Sequence, residues 1–175
     1  NNPSDPNTTH WSRRIFNTEY FFLPSITWSD IGGGPLSVRK NESCYIHDAV
    51  GVGAYRIVPE SAELGVLAML NSRVANVFIK ILCPTLHFKA GQMGEIPVIL
   101  TNDLATSATE CVDIAKQDWD SSETSWGFSQ SPVIANHRNS IRGAFEEWNK
   151  IRFGRIARLV ELESEQNTKL ICAYG

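Results

Sequence analysis

Long apolar runs are missing from these 175 residues. The richest stretch, Leu64 to Leu82, is interrupted by Asn71, Ser72, Arg73, Asn76 and Lys80, whereas a membrane-spanning helix needs about 20 consecutive apolar residues. No membrane association is expected. Cysteine is sparse: Cys44, Cys83, Cys111 and Cys172 are scattered, with no CxxC pair and no histidine at a metal-ligand offset. That pattern reads as buried or free thiols in a reducing compartment, not as a zinc site or a disulfide framework. The start, Asn1-Asn2-Pro3-Ser4-Asp5-Pro6, has neither the charged nor the apolar region of a signal peptide, so a cytoplasmic location is expected. An initiating methionine is also absent, and the chain reads as a fragment of a longer protein.

An excess of positive charge is lacking too. Sixteen Lys and Arg face nineteen Asp and Glu, for a net charge of −3, which counts against a free-standing nucleic-acid binder. The acidity is local, however. Asp103, Glu110, Asp113, Asp118, Asp120 and Glu123 face Lys116 alone, whereas Arg138, Arg142, Lys150, Arg152, Arg155 and Arg158 face Glu146 and Glu147. A basic face is compatible with that distribution.

Catalytic signatures are absent as well. The sequence has no GxSxG, HExxH, Walker A loop or GxGxxG. Asn1-Asn2-Pro3 is not the Asn/Asp-Pro-Pro-Tyr/Phe element with which adenine methyltransferases hold a flipped base, and no glycine-rich turn follows a strand as a cofactor motif would. Gly32-Gly33-Gly34 precedes Pro35 and suits a mobile loop better than a phosphate cradle. His10, His47, His87 and His137 are far apart in sequence. Asp113, Asp118, Asp120 and Glu123 have the chemistry to hold a divalent metal as a nuclease would, but on a polar helix end and loop a solvated face is the better reading. Read alone, the chain offers no catalytic residue, no cofactor site and no metal site.

What is present is a change of period. Residues 11–58 read as short strands and turns: Ile15 to Leu23 extended and aromatic, Tyr45-Ile46 and Tyr55 to Val58 as further strands separated from each other by Gly51 and Gly53. From Ser61, a plausible N-cap, Leu64, Leu67, Ala68, Val74, Val77, Phe78, Ile81 and Leu82 recur at helical spacing up to Pro84. Thr85-Leu86-His87-Phe88-Lys89 alternates like a strand, Gly91 and Gly94 mark turns, and Ile96 to Ile99 closes the unit. Helices are predicted near 103–118 and over about 138–167, with Gly154 as a weak point in the second. The expected fold is α+β: a twisted mixed β-sheet with a packed helix over 11–100, after an extension at 1–10, then a helical segment over 101–175.

Three stretches resemble one family. Trp11-Ser12-Arg13-Arg14-Ile15-Phe16-Asn17, continuing to Ser25-Ile26-Thr27-Trp28-Ser29-Asp30-Ile31, is similar to the aromatic stretch leading to "GITWSDI" in the PglX adenine methyltransferases of BREX phage-defence systems. Leu70-Asn71-Ser72, continuing to Cys83-Pro84-Thr85-Leu86-His87-Phe88 and Ile96-Pro97-Val98, resembles their "LNS…PTLNFxxGxIxxIPV" segment, and more loosely the recognition domains of fused restriction–modification enzymes. Asp118-Trp119-Asp120-Ser121-Ser122-Glu123-Thr124-Ser125-Trp126-Gly127-Phe128 is similar to "DWDSxETSWDF". The departures are Ser25 for glycine, Gly127 for aspartate and His87 for asparagine, and residues 39–58 match poorly.

The resemblance implies a region that recognises a short target in double-stranded DNA. A separate methyltransferase domain using S-adenosylmethionine, absent from this chain, would methylate a flipped adenine at N6. Other phage-defence proteins are implied as further partners. The residue chemistry agrees. Arg39, Lys40 and Arg56 lie on the glycine-rich strand-and-turn part, where Arg reaches guanine edges bidentately and Lys meets phosphates. Thr27, Ser29, Thr85 and His87 supply hydrogen bonds to bases or backbone, and Lys89 lies beside them. Other conspicuous residues have plainer readings: Arg13 and Arg14 as surface charge, Trp28 as a core anchor, Trp119 and Trp126 as staples of their loop onto the helices, Asn71 and Ser72 as shapers of the helix. The run from Lys150 to Arg158 reads as a solvated helix face. Two rival readings remain, a helical module docking the catalytic domain or partner proteins, and a nuclease built on the acidic cluster.

Overall fold

Alternation along Ser25-Ile26-Thr27-Trp28-Ser29 puts the two large apolar side chains on one face and three hydroxyls on the other. In a computed structural model describing residues 15, 17–48, 50–136 and 140–175, this segment is β1 (Ser25–Ser29), the centre of a three-stranded sheet. β2 (Arg39–Asn41) and β3 (Gly51–Tyr55) flank it in the order β2-β1-β3. Thr27 is opposite Arg39 and Gly53, while Trp28 is opposite Val52. Both pairings are antiparallel, which corrects the expected mixed sheet. The connection from β1 to β2 is too short for the crossover that a parallel pair requires.

Ile26 and Trp28 face a core shared with Leu36, Val38, Leu64, Leu67, Met69, Leu104, Ala108 and Leu170. Trp28 is an anchor of that core: it is 4% exposed, and its indole Nε1 donates to the Phe88 carbonyl at 2.8 Å. The Thr85–Lys89 strand exists as a short antiparallel bridge, Ile31 to His87, flanked by Gly32 N–Leu86 O and Phe88 N–Asp30 O bonds of 3.0 and 2.7 Å.

The single helix predicted over 61–82 is two, α1 (Glu60–Leu70) and α2 (Arg73–Leu82), bent by 72°. The break has an identifiable cause. The Asn71 amide bonds both back onto α1 and outward to Val38, and the Ser72 hydroxyl caps α2 by accepting from Ala75 N at 3.1 Å. Asn71 Oδ1 accepts from Val38 N at 2.9 Å, and Nδ2 donates to Val38 O at 3.0 Å and to Leu67 O at 3.0 Å. One amide thus takes the part of a neighbouring strand for Val38. Asn76 repeats the device, its Oδ1 accepting from Leu36 N at 3.2 Å.

α3 (Ala90–Gly94) replaces the two turns expected at Gly91 and Gly94. α4 (Asn102–Trp119) packs on α1, where Leu104, Ala105 and Ala108 are buried and Gly65 lets Leu100 approach; a Cβ at Gly65 would sit 2.9 Å from Leu100 Cδ2. After α5 (Pro132–Ala135), α6 (Ile141–Tyr174) runs unbroken through Gly154, with Ser140 capping it. The N-terminal half is less strand-like than expected. Ile15 to Leu23 contains a 3-10 turn, Thr18–Tyr20, between left-handed Asn17 (φ 55) and Phe22 (φ 60). Tyr45-Ile46 is loop, and the last strand ends at Tyr55 because Arg56 has φ 57, while Gly51 and Gly53 lie inside it. The extension at 1–10, Trp11 to Arg14, Phe16, His137 and Arg138 fall outside the described residues.

Asn71→Ala removes both partners of the Val38 backbone, and unpaired groups of this kind cost about 1–3 kcal/mol each. Urea unfolding is expected to show a loss of about 3 kcal/mol, clearly more than for Asn167→Ala, whose amide caps one exposed N–H of Arg73 at 2.7 Å.

Candidate nucleic-acid interface

Strand register decides which candidate residues meet. Ser25, Thr27 and Ser29 of β1, Arg39 and Asn41 of β2, and Gly51, Gly53 and Tyr55 of β3 share the sheet face turned from the core. Over one end of this face lies His47, with its Nε2 3.2 Å from Ser25 Oγ and 3.5 Å from Asn41 Nδ2, and its Nδ1 3.4 Å from Thr27 Oγ1. Gly51 lies against it, where a Cβ would stand in ordinary contact at 3.5 Å from His47 Cβ. The Thr27 hydroxyl also donates to Val52 O at 2.7 Å, so Thr27 is buried and already bonded.

Arg39 is the exposed cation of the face. It projects from edge strand β2 and, among the described residues, makes no hydrogen bond or ion pair. Lys40, one residue on, points to the opposite face. Its ammonium sits 2.5 Å from Glu60 and 3.9 Å from Glu63, both on α1. Lys40 accordingly holds the Glu60 carboxyl below its ordinary range, whereas burial raises that of Glu63. Arg56, at the far end of β3, lays its guanidinium 5.0 Å from the Tyr20 ring centroid and donates to Glu19 O at 3.3 Å.

A second group gathers where β1 ends. Ser29 is exposed there, and Asp30 is buried beside it with Oδ2 2.5 Å from Lys89 Nζ and 3.2 Å from His87 Nδ1. Asp30 Oδ1 is buried with no hydrogen-bond partner among the described residues. The Lys89 ammonium, and secondarily His87, hold the Asp30 carboxyl below its ordinary range against the opposing effect of burial. Thr85 Oγ1 accepts from His87 N at 3.3 Å and is exposed. Seven of the eight candidates therefore fall into three sets, Arg39 beside Thr27, then Ser29, Thr85, His87 and Lys89 around Asp30, and Arg56 by itself, while Lys40 lies on the other face.

Sequence reasoning passed over Asp30, His47, Asn41 and Tyr55. The hydroxyl–apolar alternation of β1 was the available sign of a polar sheet face, but its partners come from loops whose register no local pattern encodes. Trp119 and Trp126, expected to staple their loop, are 58% and 85% exposed. The acidic residues do not assemble: no group of three or more His, Cys, Asp or Glu suited to a metal occurs among the described residues, and Asp120 is instead bonded to Ser125 and Lys116. The Gly32–Gly34 turn leads through buried Leu36 and Val38 into β2 and opens no helix. No single helix among the described residues is long and apolar enough to cross a membrane.

Because the Asp30 carboxyl is depressed in the folded state, its contribution is present above the ordinary carboxylate range and is lost as pH falls through its folded value. Denaturant titrations down the acid limb are expected to show a smaller pH dependence for Asp30→Asn than for the unsubstituted protein.

No protein-family profile matches the chain. Two curated proteins do. It is 30% identical over 167 residues to an adenine-specific methyltransferase, PglX, of Lacticaseibacillus casei, covering 91% of this chain and 14% of that protein. It is 28% identical over 152 residues to an adenine-specific methyltransferase, BrxX, of Escherichia coli, covering 86% of this chain and 12% of that protein. The chain is thus related, over most of its own length, to one segment, about one-eighth, of the PglX-type adenine-specific methyltransferases.

Proposed function

We propose that this chain is the duplex-DNA recognition region of an adenine-specific DNA methyltransferase serving phage defence or restriction–modification. In this reading a catalytic domain elsewhere in the polypeptide binds S-adenosylmethionine and transfers the methyl group, while residues 11–100 read the target and 101–175 brace them. The observation that carries it is Arg39: an unengaged guanidinium on an edge strand, beside Thr27, at a face lined with hydroxyl, amide and imidazole groups. A guanidinium so placed offers two parallel donors to a guanine edge or a phosphate. Ser29, Thr85 and His87 extend the polar surface, and Arg56 bounds it. Lys40 and Lys89 are the weaker members, because each ammonium is already paired with a carboxylate.

One observation favours a second reading, a docking module for the rest of such an enzyme. Phe145, Phe153, Ile156 and Val160 on α6 are each at least half exposed, more apolar surface along one helix than solvent-facing helices usually carry.

Fluorescence polarisation against pooled random duplexes, at low and near-physiological salt, separates the two. The recognition reading expects affinity that falls steeply with salt. Arg39→Ala should weaken binding about tenfold, the value of one good bidentate contact, and Lys40→Ala about twofold or less, as expected for a cation already neutralised. Absence of binding at low salt would sink the recognition reading and leave the docking one.

A further inference from the structure

The Asp118–Phe128 loop takes no part in the DNA contacts proposed for the sheet face, yet it holds an indole out in solvent by a tied framework. Ser125, itself buried, donates from Oγ to Asp120 Oδ1 at 2.6 Å and accepts from Gly127 N at 3.1 Å. Its backbone N bonds to Ser122 O at 2.9 Å, and its carbonyl accepts from Phe128 N at 3.2 Å. A Cβ at Gly127 would stand 2.6 Å from Asp120 Oδ1, so a side chain there would require the Asp120 carboxylate to move aside. Trp126 lies between these ties and is 85% exposed, so its exposure is built, not the result of a slack loop.

Tyr45 backs the indole, with centroids 6.2 Å apart and planes inclined by 32°. Among the described residues no other ring or cation meets Trp126. Tyr45 belongs to the β2–β3 loop that also carries His47, and its carbonyl accepts from the N–H of Phe22, an exposed residue at positive φ. From His47 the series continues to Tyr55 at 5.9 Å and Tyr20 at 5.1 Å, ending under Arg56. The Arg56 guanidinium thus ends a series of rings along the polar sheet face, and Arg39 stands on that same face. Asp120, bonded to Ser125 next to Trp126 in sequence, is one of two carboxylates joined by Lys116, the other being Glu42, at 3.7 and 3.3 Å. These would repel a bare phosphate but accept the exocyclic amino group of a base.

We propose that Trp126, backed by Tyr45, is a stacking platform for an unpaired nucleobase, with the adjoining phosphates directed toward Arg39 and Arg56. The proposal rests on the DNA-recognition reading and extends it from duplex surface to a base outside the stack. A ring face accepts any base, so the platform provides affinity without sequence preference.

Fluorescence polarisation of the full chain is compared on two labelled probes, a fully paired duplex and the same duplex with one bulged adenine. The bulged probe is expected to bind about tenfold tighter, as one stacked base allows. Trp126→Ala should abolish that preference while leaving the paired duplex within about twofold, and Trp126→Phe should retain most of it. Circular dichroism confirms that these surface variants fold. Equal binding of the two probes, or a preference that survives Trp126→Ala, overturns the platform while leaving duplex recognition standing. Absence of binding to both probes overturns the two together.

Discussion

The arrangement of this protein depends on one side-chain amide. Asn71 ends α1, breaks what would otherwise be a single apolar helix, and pairs in both directions with the backbone of Val38. Val38 lies in a segment that belongs to no helix or strand, and its peptide groups are half-hidden from water, so without this partner they would be left unpaired. With it, the segment is fixed to the helical layer and β2 begins at a defined height against β1. Arg39 is the next residue. The helix break, the sheet register and the placement of the exposed guanidinium are consequences of a single local hydrogen-bonding choice.

Much of the helical layer was legible. The apolar period of 64–82 and the pattern over 103–118 mark α1, α2 and α4, because burial on one helical face leaves a local signature. The α+β class is signalled by the change of period near Ser61. At Asn71-Ser72 the residue types signal that the helix is shaped there, but the full break was not legible, because the Val38 partner of Asn71 lies more than thirty residues away. For the same reason Tyr45-Ile46 reads as a strand but is loop: its side chains serve Trp126 and the sheet rim instead of a ladder. Gly51 and Gly53 read as separators and lie inside β3, where the missing side chain of Gly53 admits the Tyr55 ring.

The candidate site was legible by residue type and not by arrangement. Arginines and lysines in a loop-rich segment are easily identified, but their availability depends on carboxylates brought from elsewhere. Lys40 meets Glu60 and Lys89 meets Asp30, while Arg39 meets none. Strand alternation explains the first contrast: neighbours in a strand point to opposite faces, so Arg39 and Lys40 cannot share an environment. Asp30 was invisible for a subtler reason. A buried carboxylate is normally avoided, and its presence is explained only by an ammonium and an imidazole contributed from a segment more than fifty residues away.

The device at Val38 also bears on how such a chain can change over generations. Leu36 and Val38 are held through backbone atoms, by amides on α2 and at the end of α1. The strand immediately after them therefore starts from a fixed point, and the side chain of Arg39, its first residue, meets no partner among the described residues. Substitutions there alter the chemistry displayed on the sheet edge without disturbing the core beneath, so the displayed residues can drift while the scaffold stays unchanged.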